Sequence, residues 1–182
     1  NKVLQSIWLS KNYISAKGAK LIGDALKENG SLIHLDLSSN DIKDEGAGFV
    51  SEALKINKSL SSLKLRGNCI GSNGAEYIGE ALKTNSSLTF IDLASNNLAG
   101  ETKSINKSKV RGELFKVGAK VIYEGRDMTI SQASVFDSDV KMVDLSGIIG
   151  IAEALKTNES LKEINLSNNN MGLKGAEYIG EA

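Results

Sequence analysis

The chain repeats one pattern with a period of 28 residues, and this repetition limits the folds that are open to it. Stretches of the form LxxLxLxxNxL, with Ile or Met at some leucine positions, begin at Leu4, Leu32, Leu60, Leu88 and Leu161. A single unit of this length cannot bury its own apolar side chains, so the copies must stack on one another. We therefore predict an array of repeats that share one continuous core.

Each repeat divides into a predicted strand and a predicted helix. Leu35 and Leu37 alternate with polar residues, which is typical of a short strand with one buried side. Ala19, Ile22 and Leu26 recur at helical spacing in the second half of the first repeat. Because neighbouring copies face equivalent surroundings, we expect a parallel inner sheet with the helices outside it.

Two asparagines recur once in each repeat. One closes each strand, where its amide can satisfy backbone groups as the chain turns out of the sheet; these are Asn12, Asn40, Asn68, Asn96 and Asn169. The other follows each helix, where we predict a left-handed C-terminal cap; these are Asn29, Asn57, Asn85 and Asn158. Both assignments give asparagine a structural role.

The pattern LxxLxLxxNxL, followed by helical stretches such as GAEYIGEALKTN from Gly74, resembles the leucine-rich repeat of the ribonuclease-inhibitor type. NOD-like receptors and Ran GTPase-activating proteins carry similar repeats. The resemblance implies an α/β fold, a leucine-rich-repeat solenoid with a curved parallel inner sheet and outer helices. It also implies a scaffold for protein–protein interaction. The alternatives are a GTPase-activating regulator of a small GTPase and a ligand-sensing segment of an innate-immune receptor.

One period is longer than the others, because Leu88 and Leu161 are 73 residues apart. The additional residues lie after Asn96, since the helical half is recognisable again from Ile151. We divide the chain into leucine-rich repeats at 1–98, an insertion at 99–139, and resumed repeats at 140–182 that stop within a helix.

The segment Val140–Ser146 (VKMVDLS) can be placed in two ways. It matches LTFIDLA at 88–94, with Val140, Val143 and Leu145 on the buried strand positions. We favour an additional inner strand here, followed by a compact repeat. The alternative assigns the segment to the insertion and leaves a single disrupted repeat.

The insertion contains a basic stretch and a predicted β-hairpin. Only Glu113 opposes the cations of the basic stretch, which are Lys103, Lys107, Lys109, Arg111, Lys116 and Lys120. Apolar residues on both sides of Glu124 and Gly125 predict the hairpin; these are Val121, Tyr123, Met128 and Ile130. Such a stretch can contact an acidic partner or RNA, or it can be a solvated linker. The candidate partner-binding residues here are Lys109, Arg111, Tyr123 and Arg126.

Groups that could support catalysis or bind a metal are scarce. His34 is the only histidine, and we expect it on the outward side of a strand. Cys69 is the only cysteine, and we expect it to be a small, partly buried side chain. Lys plus Arg balances Asp plus Glu at 22 each, so no net field favours nucleic acid or an anionic membrane. We expect no enzyme activity, no cofactor, no metal, no membrane partner and a cytoplasmic location.

The polar strand positions are expected to point into the concave face, where a partner protein could bind. Trp8 is the only tryptophan, and we place it with Phe90 in an equivalent row of this face. Interface energy concentrates at Trp, Tyr and Arg side chains, so Trp8, Phe90 and Arg66 are the expected anchors. The candidate residues of the concave face are Trp8, His34, Asp36, Lys64, Arg66, Phe90, Asp92, Glu163 and Asn165.

The two ends of the sequence lack the polar caps that shield the core of a solenoid. The residues at 1–3 match those that lie between a helix and the next strand in later repeats. Ala182 matches Ala81, one residue before the core residue Leu82. We therefore expect a segment of a longer protein, with flanking repeats of the same chain at both ends.

Overall fold

The structure, a computed structural model, describes residues 1–100, 102–106, 120–123, 126–133 and 139–182. Within these residues the strands form two sheets. In chain order the elements are β1 (Ser6–Trp8), α1 (Ala16–Glu28), β2 (His34–Asp36), α2 (Lys43–Ile56), β3 (Ser62–Lys64), α3 (Ser72–Thr84), β4 (Phe90–Asp92), β5 (Lys103–Asn106), β6 (Lys120–Tyr123), β7 (Arg126–Ala133), β8 (Asp139–Val143), α4 (Ser146–Leu155), β9 (Glu163–Asn165) and α5 (Gly172–Gly180).

The first sheet is parallel, with the strand order β1-β2-β3-β4-β9. Equivalent repeat positions lie opposite each other, so that Leu35 pairs with both Ile7 and Leu63. The helices pack in sequence against their neighbours on the other side of the core. Leu35, Leu63 and Leu93 are all buried in one cluster with the helix residues, which confirms the predicted solenoid of strands and outer helices.

The asparagines that close the strands form a ladder between repeats. The Asn68 side chain donates to the carbonyls of Leu37 at 2.9 Å and Leu65 at 3.0 Å. Its Oδ1 accepts the backbone N–H of Asn40 at 2.9 Å, and Asn40 itself is buried. One amide therefore satisfies backbone groups of two successive repeats, as predicted from its position at the turn.

The prediction of left-handed caps at the helix ends is wrong. Asn57 follows α2 with φ −66° and ψ 132°, which is extended backbone. Its amide donates to the carbonyls of Leu26 and Asn29 in the preceding repeat, each at 2.8 Å. Bonding to the neighbouring repeat replaces the local cap, and the left-handed residues lie instead beside the ladder asparagines, as at Ser39 and Asp41.

The second sheet is antiparallel, with the order β5-β8-β7-β6, and it interrupts a single repeat. β4 pairs directly with β9, and α4 packs against α3. The additional inner strand favoured from the sequence is therefore wrong, because Val140 and Met142 pair with β5 and β7. The apolar pattern was misleading because Val143, the last residue of β8, and Leu145, which follows this strand, are both buried in the solenoid core.

The predicted hairpin is present within the second sheet. β6 and β7 pair antiparallel, with Tyr123 opposite Arg126. β5, which comes from the basic stretch, was not predicted. The second sheet also has buried apolar residues of its own, namely Ile105, Met128, Ile130 and Met142.

In the described part of the chain, no helix combines the length and the apolar character needed to cross a membrane.

Candidate functional site

The register of the inner sheet arranges its outward side chains in rows. One row contains Ser6, His34, Ser62, Phe90 and Glu163. The next contains Trp8, Asp36, Lys64, Asp92 and Asn165. The prediction that Trp8 and Phe90 occupy an equivalent row is wrong, because the two positions are two residues apart within the repeat.

Two highly exposed aromatic side chains lie in the first repeat. Trp8 is 69% exposed at the end of β1, on the concave face. Tyr13 is 95% exposed and lies in a left-handed turn just after Asn12. Sequence reasoning missed Tyr13, although an aromatic residue at a turn position that holds Asp41 in the next repeat was a usable signal.

Part of the predicted site has a structural role. Oδ1 of Asp36 accepts the backbone N–H of Ser38 at 2.9 Å, and Oδ1 of Asp92 accepts that of Ala94 at 3.0 Å. Asn165 makes the equivalent bond to Ser167. These side chains close their strands, which fixes their orientation and leaves their remaining polar capacity on the concave face.

Lys64 and Arg66 provide the positive charge of the face. Lys64 lies between Asp36 and Asp92 in the register, so the charge alternates along this row. Within the described residues neither Lys64 nor Arg66 has an ion-pair partner, and Arg66 is exposed. The charge alternation gives the face both a donor and acceptors for a polar partner.

His34 is exposed on the concave face, as expected. Cys69 is also exposed, so the prediction of a partly buried side chain is wrong. Its φ of 55° places it in the left-handed turn beside Asn68, outside the packed interior. Among the described residues, no group of three or more His, Cys, Asp or Glu side chains could hold a metal ion.

Two carboxylates on the outer helices have lowered pKa values because lysines of the same helix donate hydrogen bonds to them. Hydrogen bonds from Lys20 and Lys27 lower the pKa of Asp24 on α1. A hydrogen bond from Lys83 likewise lowers the pKa of Glu80 on α3. These are exposed helix-surface pairs.

The insertion candidates are not part of the rows of the inner sheet. Tyr123 and Arg126 are strand partners where β6 and β7 meet, in the second sheet. Lys109 and Arg111 lie outside the described residues. The two sets of candidates thus remain separate in the described structure.

Comparison with known proteins agrees with this architecture. The profile of the family described as Leucine Rich repeat matches residues 28–51, 57–79, 84–101 and 157–180. The matches and the parallel sheet with outer helices define a leucine-rich repeat solenoid. No curated protein matches the chain in sequence.

Two solved structures share the fold. A tropomodulin C-terminal domain from Caenorhabditis elegans has a TM-score of 0.64 and 11% sequence identity, and the match covers 100% of this chain and 83% of that chain. Leiomodin-1 actin-binding site 2 has a TM-score of 0.63 and 18% identity, covering 100% of this chain and 79% of that chain. At these identities the likeness concerns the fold alone.

Proposed function

We propose that this chain is a scaffold for protein–protein interaction and that it holds a partner protein on the concave face of its solenoid. The observation that carries the proposal is Trp8, which is 69% exposed in a row of otherwise polar side chains. A tryptophan provides a large contact area at low entropic cost, and such residues dominate the energetics of interfaces.

Stacking of repeats does not account for the exposure of Trp8. Leu4 is also exposed, but its equivalent Leu32 is buried between repeats, so that position belongs to the core. The equivalents of Trp8 are Asp36 and Lys64, which stay on the outward side of the sheet even inside the stack. A large apolar side chain at this position is thus better matched to a partner surface than to a neighbouring repeat.

The ladder of asparagines supports a rigid binding face. Because Asn40, Asn68 and Asn96 each bond to the backbone of the adjacent repeat, the relative positions of the strands are fixed before a partner arrives. A preorganised face loses less entropy on binding.

We infer repeats of the ribonuclease-inhibitor type, a cytoplasmic location and no catalytic step of the chain's own. Lys109, Arg111, Tyr123 and Arg126 remain candidate contacts of the insertion. A GTPase-activating role and a receptor-sensing role remain the alternatives, and faster GTP hydrolysis by a small GTPase in the presence of the chain would favour the first of them.

The test compares the partners captured by three forms of the immobilised chain: wild type, Trp8→Ala and Leu21→Ala. Leu21 is the matched control, because it is 71% exposed but lies on α1. Actin is included as a defined bait, since the leiomodin-1 fragment is described as an actin-binding site. We expect Trp8→Ala to lower the affinity for the captured partner about 30-fold. Leu21→Ala is expected to lower this affinity less than about 2-fold. Equal effects of the two variants would contradict the proposal.

A further inference from the structure

A cavity of about 400 Å³ opens where the second sheet meets the solenoid, between β7 and the helices α3 and α4. We name it the junction cavity. Its apolar wall includes Met128 and Leu145, which are both buried, and Ile149. The cavity is separate from the concave face, because none of the residues in the two rows lines it.

The rim of the junction cavity is acidic. Glu76 and Glu80 line it from α3, and Asp127 lines it from β7. Glu80 is paired with Lys83 at 2.6 Å. Within the described residues, Glu76 and Asp127 have no ion-pair partner, and no lysine or arginine whose side chain the structure describes lines the cavity.

Thr129 supplies a polar group at the wall of the same cavity. It lies on the central part of β7, is only 5% exposed, and pairs with Val143, which packs into the solenoid core. Its hydroxyl has no hydrogen-bond partner among the described residues. Among the described side chains, only the Ser51 hydroxyl is fully buried without a partner, so the Thr129 hydroxyl is accessible from the cavity and available to a polar group that enters it.

Gly150 keeps the junction cavity open. The equivalent position of the other helices holds Leu21, Phe49, Tyr77 and Tyr178. A Cβ at Gly150 would lie 3.4 Å from Cα of Glu76, which is an ordinary contact, so packing does not require glycine here. Glycine inside a helix is destabilising relative to alanine, and the space that it leaves is the compensating feature.

We propose that the junction cavity binds a lysine or arginine side chain from a basic segment of a partner protein. Long basic side chains combine an apolar stem with a cationic head. The stem fits against Met128 and Leu145, and the head lies at the carboxylates of Glu76 and Asp127, within reach of Thr129. The proposal rests on the interaction role proposed above, but it concerns a different surface.

The first test measures fluorescence anisotropy of a labelled peptide of alternating arginine and glycine, with the isosteric citrulline peptide as the uncharged probe. We expect Glu76→Gln combined with Asp127→Asn to weaken binding of the arginine peptide at least 10-fold. The matched control is Glu28→Gln combined with Glu45→Gln, which removes the same charge from positions on α1 and α2 that do not line the cavity. Equal weakening by the two double variants, or equal affinity for the citrulline peptide, would overturn the proposal.

The second test fills the cavity without changing its charge. Gly150→Tyr introduces the residue type found at the same position in α3 and α5, and it is expected to abolish peptide binding while the thermal midpoint stays the same or rises. Retention of wild-type affinity by a folded Gly150→Tyr variant would overturn the proposal. Trp8→Ala is expected to leave the affinity for the arginine peptide unchanged. A failure of the cavity proposal can therefore be distinguished from a failure of the proposed binding at the concave face.

Discussion

The hydroxyl of Ser72 donates a hydrogen bond of 2.9 Å to Oδ2 of Asp144, and both residues are buried. The bond joins the first turn of α3 to the residue that directly follows the inserted sheet. One repeat earlier, Asp44 in the first turn of α2 accepts the backbone N–H of Gly71 at the start of α3. The same repeat position therefore links successive helices in both cases, with donor and acceptor exchanged at the insertion.

This link predicts that Ser72→Ala is destabilising. The substitution leaves a buried carboxylate oxygen of Asp144 without that donor, which costs about 1–3 kcal/mol of unfolding free energy. Urea unfolding followed by circular dichroism measures the difference.

Ser51 is the matched control, because it is also buried but its hydroxyl has no partner in the described structure. Removing an unsatisfied buried hydroxyl relieves its desolvation, so we expect Ser51→Ala to be neutral or stabilising by up to about 1 kcal/mol. Equal destabilisation by the two alanine substitutions would contradict the role given to Asp144.

The asparagine ladder predicts a large effect of Asn68→Ala. This change removes the bonds that the amide donates to the carbonyls of Leu37, Leu65 and Arg66. It also leaves the backbone N–H groups of Asn40 and Ile42 without their acceptor in the interior. Several unsatisfied buried groups at about 1–3 kcal/mol each predict a loss of at least ~3 kcal/mol in unfolding free energy.

Asn12 occupies the same repeat position in the first repeat, but it is exposed, and its amide donates to the carbonyl of Ser10. We expect Asn12→Ala to cost less than about 1 kcal/mol in the same urea experiment. A loss at Asn68 as small as that at Asn12 would show that the ladder does not hold the repeats together.

Close approach of α3 and α4 makes Gly79 sensitive to substitution. A Cβ at Gly79 would lie 2.6 Å from the backbone carbonyl of Gly150, so Gly79→Ala must push the helices apart. We expect Gly79→Ala to lower the unfolding free energy by about 1–3 kcal/mol, measured by thermal or urea unfolding. Gly180→Ala is the control, since a Cβ at Gly180 would meet no heavy atom within 4 Å, and it is expected to be neutral or mildly stabilising. Similar losses at both positions would rule out helix contact as the cause.

The repeat architecture could be predicted from the sequence because each leucine position recurs in phase. Leu35 and Leu63 occupy the same position in successive repeats and pair with each other, so a strand predicted in one repeat predicts the strand in the next. The hairpin was also predictable, since its pattern is local to Val121 and its neighbours. Features that depend on a hydrogen bond to a residue distant in sequence were missed. Asn57 is the clearest case, because its amide donates to the carbonyls of Leu26 and Asn29 in the preceding repeat.

The candidate site was only partly predictable for the same reason. The alternation of apolar and polar residues placed Trp8 and Asp36 on the outward side of the sheet. It could not show that one carboxylate oxygen of Asp36 accepts the backbone N–H of Ser38 at the end of the strand. The junction cavity brings Glu76 and Asp127 together from α3 and the second sheet, and no sequence period relates those positions. Val143 fits the pattern of an inner strand and of the inserted sheet equally well, so pattern alone could not assign it.

Trp8 is the only tryptophan of the chain, and it therefore reports directly on whether the concave face is the binding face. The deciding measurement is the ¹⁹F NMR signal of the chain labelled with 5-fluorotryptophan, recorded with and without the captured partner. We expect a solvent-exposed resonance in the free chain. When the partner saturates the chain, this resonance shifts and loses its solvent isotope effect. A resonance that is unchanged at saturation would contradict the concave face as the site of binding.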